Sequence, residues 1–369
     1  MRILLYSRVF PPAVGGMERF AEGLASWLAE HGHDVTVVTY TPAAPTADRQ
    51  RPYRVLRHPD FGTVVRTARR SDVVHVSGLS VRGILAALLV GRRPVVTHHG
   101  HQAVCPTGLA WSSNSGDPCP AGPRPGPCRV CRVQGLRGHG SVRVHRAATW
   151  TAAVNVCVSR YLAERIDVPH SRVIYDAVSE VAFATQADGP GRDGLVAFAG
   201  RLVAEKGVDL LLQALTRVPE ACLEIAGDGP MRGPWEALAR ELGLESRVRF
   251  LGSLPLDGIA ELYARSAVVG VPSTWDEPFG YAAAEAMAMG RPVVATPRGA
   301  LPELLADGRG FVARTATPEA LAEVLRTALE DERRRREVAA RARAFARSQL
   351  RWDHAGTTYV RYYRKESPR

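Results

Sequence analysis

Residues 2–40 read RILLYSRVFPPAVGGMERFAEGLASWLAEHGHDVTVVTY, and their rhythm decides the fold. "RILLYS" is an apolar run of strand length. After the loop "RVFPPAVGG", Met17, Phe20, Ala21, Leu24, Trp27 and Leu28 recur at the spacing that gathers side chains on one helix face. His31 and Gly32 stop that helix, and "DVTVVTY" is the next strand. This is a β-loop-α-β unit, and it repeats. "DVVHVS" and "PVVTHH" are further short strands separated by helical patterns. Such alternation implies a parallel sheet covered by helices.

The pattern restarts at Leu195. "LVAFAG" reads as a strand, "RLVAEKG" as a loop and "VDLLLQAL" as a helix; "ACLEIAG", "VRFLG", "AVVGVP" and "RPVVA" are strands between helical stretches. The intervening "DAVSEVAFATQADGPGRDG" is weakly periodic and rich in Gly, Asp and Ala, which sets a domain boundary near residue 185. The expected class is α/β, with two doubly wound Rossmann-like domains facing across a cleft. Residues 1–184 form the first domain and 185–348 the second. Residues 349–369, "WDHAGTTYVRYYRKE" within them, form a last helix expected to pack back on the first domain. In sheets of this kind ligands bind outside the carboxyl ends of the strands.

Composition bounds the function. With 46% hydrophobic and 23% charged residues, the chain reads as soluble and globular. "GILAALLV" (residues 83–90) is too short to span a membrane and sits between Arg82 and Arg92. The first residues lack the long apolar core of a secretory signal, so a cytoplasmic location is expected. The net charge is +11, almost all from arginine; Lys206 and Lys365 are the lysines. That bias also fits a GC-rich coding sequence. Between Asp117 and Glu164 there is no acid, but Arg124, Arg129, Arg132, Arg137, Arg143, Arg146 and Arg160 are present. A field of one sign draws anionic partners, here a phosphorylated acceptor or a lipid headgroup at an anionic membrane surface, or it is simply a solvated face. No recognised nucleic-acid motif accompanies the charge, so no nucleic acid is expected.

The chemistry concentrates in "TWDEPFGYAAAEAMAMGRPVV", residues 274–294. Glu277 precedes Pro278, a residue favoured in a helix's first turn, and the helix is expected to run through Glu285 to Gly290. Eight residues apart, Glu277 and Glu285 cannot form one tight pair and must touch different parts of a ligand. Phe279, Gly280 and Tyr281 offer backbone N–H groups at the helix start, a natural anion site. The plain alternative is an N-terminal acid facing the helix dipole and a solvated Glu285. "GRLVAEKG" puts Arg201 and Lys206 in the loop after the second domain's first strand, where both could reach a diphosphate or stay surface charges. Gly15 and Gly16 stand where the first strand meets its helix; they permit close backbone approach to a ligand, or form an ordinary turn. They lack the G-x-G-x-x-G spacing, which disfavours a nicotinamide enzyme.

Taken together, "GGMER", "VVTHHG", "FAGRLVAEKG", "EIAGDGP", "RVRFLG", "PSTWDEPFGYAAAEAMAMGRPVVA", "GALPELLADGRGF" and "RWDHAGTTYVRYYR" resemble the retaining nucleotide-sugar glycosyltransferases of family 4, of GT-B fold. The resemblance spans nearly the whole chain, and its most specific element is the E-x7-E segment. It implies a bacterial-type transferase moving a hexosyl-type sugar from a UDP- or GDP-sugar to a glycan, lipid-linked or small-molecule acceptor. It implies that Glu277 and Pro278 meet the donor sugar and that Phe279, Gly280 and Tyr281 offer amides to sugar and phosphate. Glu285 would bind ribose hydroxyls, Arg201 and Lys206 the leaving diphosphate, and Phe250, Leu251 and Gly252 the base. Gly15 and Gly16 would face the donor from the first domain, and His99 would be the cleft histidine, with adjacent His98 the second choice. The chain contains no Asp-x-Asp, so Arg201, Lys206 and the helix start are expected to replace a metal, and no cofactor is expected for catalysis.

Four cysteines, Cys105, Cys119, Cys128 and Cys131, fall in a Gly/Pro-rich insertion, residues 105–131. Cys128-x2-Cys131 has the spacing of a metal knuckle, and the four together could hold a structural zinc; reduced thiols and disulfides are the alternatives. Cys157 and Cys222 sit in apolar runs and are expected in cores. His98, His99 and His101 are too closely spaced for a usual strand-borne zinc site, since neighbouring strand residues point to opposite faces. Two other functions share the fold class: a non-catalytic nucleotide-sugar-binding subunit, and a sugar-nucleotide epimerase. A phosphorylase of the pyridoxal type is disfavoured by the scarcity of lysine.

Overall fold

A computed structural model describes residues 1–44, 46–112, 117–119, 136–185, 189 and 191–366. The chain forms two compact units. One comprises Met1–Ala110, Cys119–Ala177 and Trp352–Arg369, the other Trp111–Pro118 and Val178–Arg351.

In the first unit the order is β1 (Arg2–Ser7), α1 (Gly16–Glu30), β2 (Asp34–Thr39), β3 (Arg54–Arg57), α2 (Phe61–Arg70), β4 (Val73–Ser77), α3 (Val81–Leu88) and β5 (Val95–His98). The short strands β6 (Trp111–Ser112) and β7 (Asp117–Pro118) pair antiparallel. Then come α4 (Leu136–Thr149), β8 (Val154–Cys157), α5 (Arg160–Ile166) and β9 (Ser171–Val173). Seven strands stand in the order β3-β2-β1-β4-β5-β8-β9. Every pairing is parallel, and the sheet centre is buried on both faces, as the apolar strands require.

The second unit runs α6 (Glu180–Ala184), β10 (Arg192–Ala199), α7 (Val208–Leu215), β11 (Cys222–Ala226), α8 (Arg232–Glu241), β12 (Val248–Gly252), α9 (Leu256–Arg265) and β13 (Ser266–Val271). It continues through α10 (Tyr281–Met289), β14 (Val293–Ala295), α11 (Leu301–Leu304), β15 (Phe311–Val312), α12 (Pro318–Glu330) and α13 (Glu332–Gln349). Its six parallel strands stand in the order β12-β11-β10-β13-β14-β15. Each sheet is therefore Rossmann-like. Its first strand lies inside the sheet, and the order reverses between β1 and β4 in one unit and between β10 and β13 in the other. Loops leaving those strand pairs open a crevice at the carboxyl edge.

The chain leaves the first unit after Ala177, ahead of residue 185, because α6 belongs to the second unit. Its Ala182 and Phe183 are buried, and it packs on α9 and α10. The return begins at Trp352, not at 349, because α13 continues to Gln349 and Val178 N–H donates to Leu350 O at 3.0 Å, fastening both ends of the second unit together. The last helix, α14 (Trp352–Glu366), packs against α1 of the first unit. Trp27 Nε1 donates to Asp353 Oδ1 at 3.0 Å, and Tyr359 and Tyr363 are fully buried. Tyr359 OH lies 3.0 Å from Thr97 Oγ1, and Tyr363 OH 2.5 Å from His75 Nδ1. The C-terminal helix is thus a component of the first unit's core.

Candidate functional site

The second unit's crevice is built from the loops after β10 and β13. Arg201 begins the first loop and is exposed. The backbone there is held closely: Leu202 N–H donates to Asp228 O at 2.9 Å, and Met231 N–H to Leu202 O at 2.9 Å. Gly227 has φ of 138°, and a Cβ on it would lie 1.8 Å from Gly200 O. The "GDGP" stretch is therefore glycine-bearing because two backbones touch. A 3₁₀ turn, Ala204–Lys206, follows, and Thr274 N–H donates to Glu205 O at 3.0 Å, tying this loop to the segment after β13.

That tie brings Lys206 onto Glu277. Lys206 Nζ lies 2.6 Å from Glu277 Oε1, and the Ser273 hydroxyl donates to the same oxygen at 2.7 Å. The ammonium also lies 5.4 Å from the centre of the Trp275 ring. Glu277 is only 6% exposed. Burial works to raise its pKa, but the Lys206 charge and hydrogen bond, with Ser273, outweigh it and hold the carboxyl below its usual value. Glu277 is thus held as a carboxylate near neutral pH. Lys206 has three N–H donors and the carboxylate several lone pairs, so each keeps capacity for a ligand.

The helix does not begin at Glu277 or Pro278 as expected. α10 starts at Tyr281, with Gly280 as N-cap. The reason is a crossing backbone. Ala300 N–H donates to Glu277 O at 2.8 Å, and Gly299, at φ 59°, lies so close that a Cβ would come within 2.2 Å of that oxygen. Glu277 is therefore held in an extended lead-in, with Phe279 buried behind it. Glu285 is not solvated, as the plain alternative had it, but 5% exposed, one turn into a helix buried nearly all round. The Ala residues let that helix lie against its neighbours. Four residues of rise separate Tyr281 from Glu285, about 6 Å. Leu251, half-buried, is the penultimate residue of edge strand β12. Three strand spacings lie between β12 and β13, about 14 Å along the crevice.

The first unit's crevice carries the other candidates. Gly15 caps α1 in an extended conformation and Gly16 opens the helix. The atoms nearest a Cβ on Gly15 belong to the tip of the Glu18 side chain, not to backbone. His99 follows β5. Its Nδ1 lies 3.4 Å from Asp176 Oδ2, its Nε2 3.2 Å from Ser77 Oγ, and its ring 4.5 Å from that of Phe20. Asp176 and Ser77 carry no motif or spacing, and sequence reasoning missed both. The sheet alone joins positions 77, 99 and 176. His98 points to the other face, fully buried, with Nε2 2.8 Å from Asn155 Oδ1. Burial pushes the His98 pKa down to about 4 and that of His75 to about 3, so both are neutral. His101 is buried with its ring 6.2 Å from that of Tyr161.

Cys105 and Cys119 share a small buried cluster with Ala110, whose N–H donates to Cys105 Sγ at 3.3 Å. Cys128 and Cys131 lie outside the described residues, as do Arg124, Arg129 and Arg132. Among the described residues no three His, Cys, Asp or Glu side chains gather to hold a metal. Cys157 is buried and its pKa is raised by burial to about 11. Cys222, expected in the core, is half-buried because it opens β11 at the sheet's amino edge. Of the basic stretch, Arg143 is exposed, while Arg146 donates to the carbonyls of Ile166 and Asp167. No helix among the described residues is long and apolar enough to cross a membrane.

Comparison with known proteins gives two family matches. The model for glycosyl transferases group 1 matches residues 184–345, and that for glycosyltransferase family 4 matches residues 14–179. An uncharacterised glycosyltransferase of Methanocaldococcus jannaschii is 27% identical over 99% of this chain and 98% of its own. A GDP-mannose-dependent alpha-(1-6)-phosphatidylinositol monomannoside mannosyltransferase of Mycolicibacterium smegmatis is 27% identical over 96% of each. Among solved structures, Anabaena Alr3699/HepE in complex with UDP aligns with a TM-score of 0.76 at 23% identity, covering 99% of this chain and 100% of that one.

Proposed function

Because this chain belongs to the glycosyltransferases of group 1 and family 4, we propose that it moves a hexosyl-type sugar from a nucleotide-diphosphate sugar to an acceptor hydroxyl, with retention and without a metal. The observation that carries the reading is the pairing of half-buried Lys206 with buried Glu277 at the strand-order reversal of the second unit. Glu277 accepts hydrogen bonds from sugar hydroxyls. Lys206, with Arg201 in the same loop, takes up the negative charge that grows on the leaving diphosphate. Glu285, one turn into α10, is assigned to the ribose and Leu251 to the base. Gly16 and His99 are assigned to the donor and to the reacting sugar. The fixed cations supply the charge that a metal would otherwise bring.

A GDP-mannose-dependent relative and a UDP-bound structural neighbour leave the base to experiment. UDP, GDP and their sugars should be screened by thermal shift, since a ligand of the folded state raises its melting point by mass action. One of the two nucleotides is expected to raise it, and Lys206→Ala and Glu277→Ala to abolish most turnover while remaining folded. Turnover lost in EDTA and restored by manganese would overturn the metal-free part. Binding of donor without turnover on any acceptor would favour the non-catalytic subunit.

For the acceptor, the same reading favours a lipid-linked one. Leu85 and Leu89 at α3, with Val144 and Trp150 at α4, are exposed; these neighbouring helices carry Arg82 and Arg143, and Arg93 stands in the loop between α3 and β5. Apolar side chains among arginines suit an anionic membrane surface.

A further inference from the structure

Arg82 is held in place, yet no acid holds it. It is the second residue of α3, exposed, at the carboxyl edge of the first sheet. Its guanidinium lies over two rings, 5.2 Å from the centre of Tyr40, which follows β2, and 5.4 Å from that of Phe61, which opens α2. This seat is itself fixed. The Tyr40 hydroxyl donates to Pro59 O at 3.1 Å, its ring meets that of Tyr6 at 6.1 Å, and the His58 ring stands edge-on to it at 5.9 Å. Arg2, Arg51 and Arg57 of the same unit each sit on a carboxylate. No carboxylate lies within ion-pair distance of Arg82 among the described residues, and its hydrogen bond to Pro59 O is long, at 3.5 Å.

Helix stability does not explain the position, since a cation in the first turn opposes the helix dipole. Neither α2 nor α3 contains an acid. The acid before them, Asp60, is spent on its own helix: it caps α2, accepting from Thr63 N–H at 2.8 Å and from Thr63 Oγ1 at 2.7 Å. Stacking occupies the flat faces of a guanidinium and leaves the N–H donors along its edge for a pair of oxygens. The rings also restrict the side chain, so part of the ordering that a ligand would otherwise demand is already done. Arg8, just after β1, adds a second charge. It is exposed, no carboxylate lies within ion-pair distance of it among the described residues, and Tyr40 N–H donates to its carbonyl at 3.2 Å. Two arginines beside each other suit a phosphate, which carries more charge than a carboxylate and oxygens enough for both.

We propose that Arg82, on its seat of Tyr40 and Phe61, is a subsite for a phosphate group carried by the acceptor. The identification of the ligand as the acceptor rests on the transferase reading above; the seat itself does not. Tyr40 follows β2 and Arg82 follows β4, the two neighbours of β1, so the seat borders the same strand-order reversal as Gly16. From Arg82 the exposed face of α3 continues through Leu85 and Leu89 at helical spacing. A phosphate on a small polar molecule and one in a lipid headgroup present the same oxygens to Arg82. Only the second would also use those leucines.

The test is a titration with glycerol 3-phosphate, with glycerol as the blank. It is read by nitrogen–proton NMR on the Arg82 Nε–H of the wild type and on the backbone amides of residues 81–83 in every protein. Vesicles of phosphatidylglycerol, against phosphatidylcholine, are tested by co-sedimentation. For a phosphate on a soluble molecule, saturating shifts are expected with glycerol 3-phosphate, with affinity weakened about tenfold in Arg82→Gln. Arg82→Lys and Phe61→Leu should weaken it too, since the first keeps the charge without the fork and the second removes a ring. Capture by phosphatidylglycerol vesicles that is lost in the same variants, without shifts from glycerol 3-phosphate, would assign the subsite to a lipid headgroup. Absence of both responses overturns the proposal. So does wild-type binding in Arg82→Lys and Phe61→Leu, which would leave only a surface charge. In turnover, acceptor KM is expected to rise about tenfold in Arg82→Gln with donor KM unchanged, and an unchanged acceptor KM overturns the assignment to the acceptor. Phosphate binding at Arg82 in a protein that turns over no donor would support the subsite and count against the transferase reading alone.

Discussion

His98 and His75 show what burial does to a single side chain. Each is fully enclosed, each has neutral partners, and burial drives the pKa values to about 4 and about 3. The unfolded chain takes up protons below about pH 6.5 that the native state refuses. Stability is therefore full above that value and declines as pH falls from about 6.5 toward 4. For His98 the whole shift corresponds to about 3 kcal/mol as an order of magnitude. The first unit's urea midpoint is expected to be level from pH 7.5 to 8.5 and clearly lower at pH 5. A midpoint unchanged across that window would refute it. At this scale charge and motif singled out Lys206 and Glu277, which the structure brings together, and Glu285, which it buries. The sequence was mute on Ser77 and Asp176, because their partnership with His99 exists only once β4, β5 and β9 lie in one sheet.

Among the elements, α10 and the segment before it were read correctly in composition and wrongly in start. Pro278 signals a first helical turn, but a passing backbone overrides that local signal. The crossing at Gly299 and Ala300 keeps Glu277 extended and delays the helix to Tyr281. Gly299→Ala would set a Cβ 2.2 Å from Glu277 O at a positive φ. It is expected to destabilise the second unit by more than about 2 kcal/mol in urea melts. It should also weaken donor binding in calorimetry, because the displaced atom belongs to the residue paired with Lys206. Wild-type donor affinity in that variant would mean that the crossing does not position Glu277. The strands missed by the sequence reading have a common cause. β9 and β15 have three and two residues, and β9 is largely exposed, so neither shows a usable period. β3 and β8 have four residues each and are bounded by no clear turn signal.

The whole molecule is two Rossmann-like units threaded by one chain that leaves the first, completes the second and comes back. Repetition of the β-loop-α-β pattern made the two units legible. The return was legible in outline, as a last helix expected to pack back on the first domain, but nothing local records that Tyr359 and Tyr363 meet Thr97 and His75. Ending the chain at Arg351 removes those contacts and the Trp27–Asp353 bond. The truncated protein is expected to keep a cooperative melting transition for the second unit and to lose that of the first, seen as lost hydrogen-exchange protection across β1, β4 and β5. Protection retained in those strands would show that the first core closes without α14.

The return helix also sets an order of birth. A chain made from its amino end normally completes its domains in the order they are written. Here the first 177 residues emerge without the piece that fills their core, which follows the second unit in the sequence. The second unit from Val178 to Arg351 is nearly continuous and can close while its predecessor still waits, its strands unsealed, on the ribosome. The half of the protein read first is the half finished last.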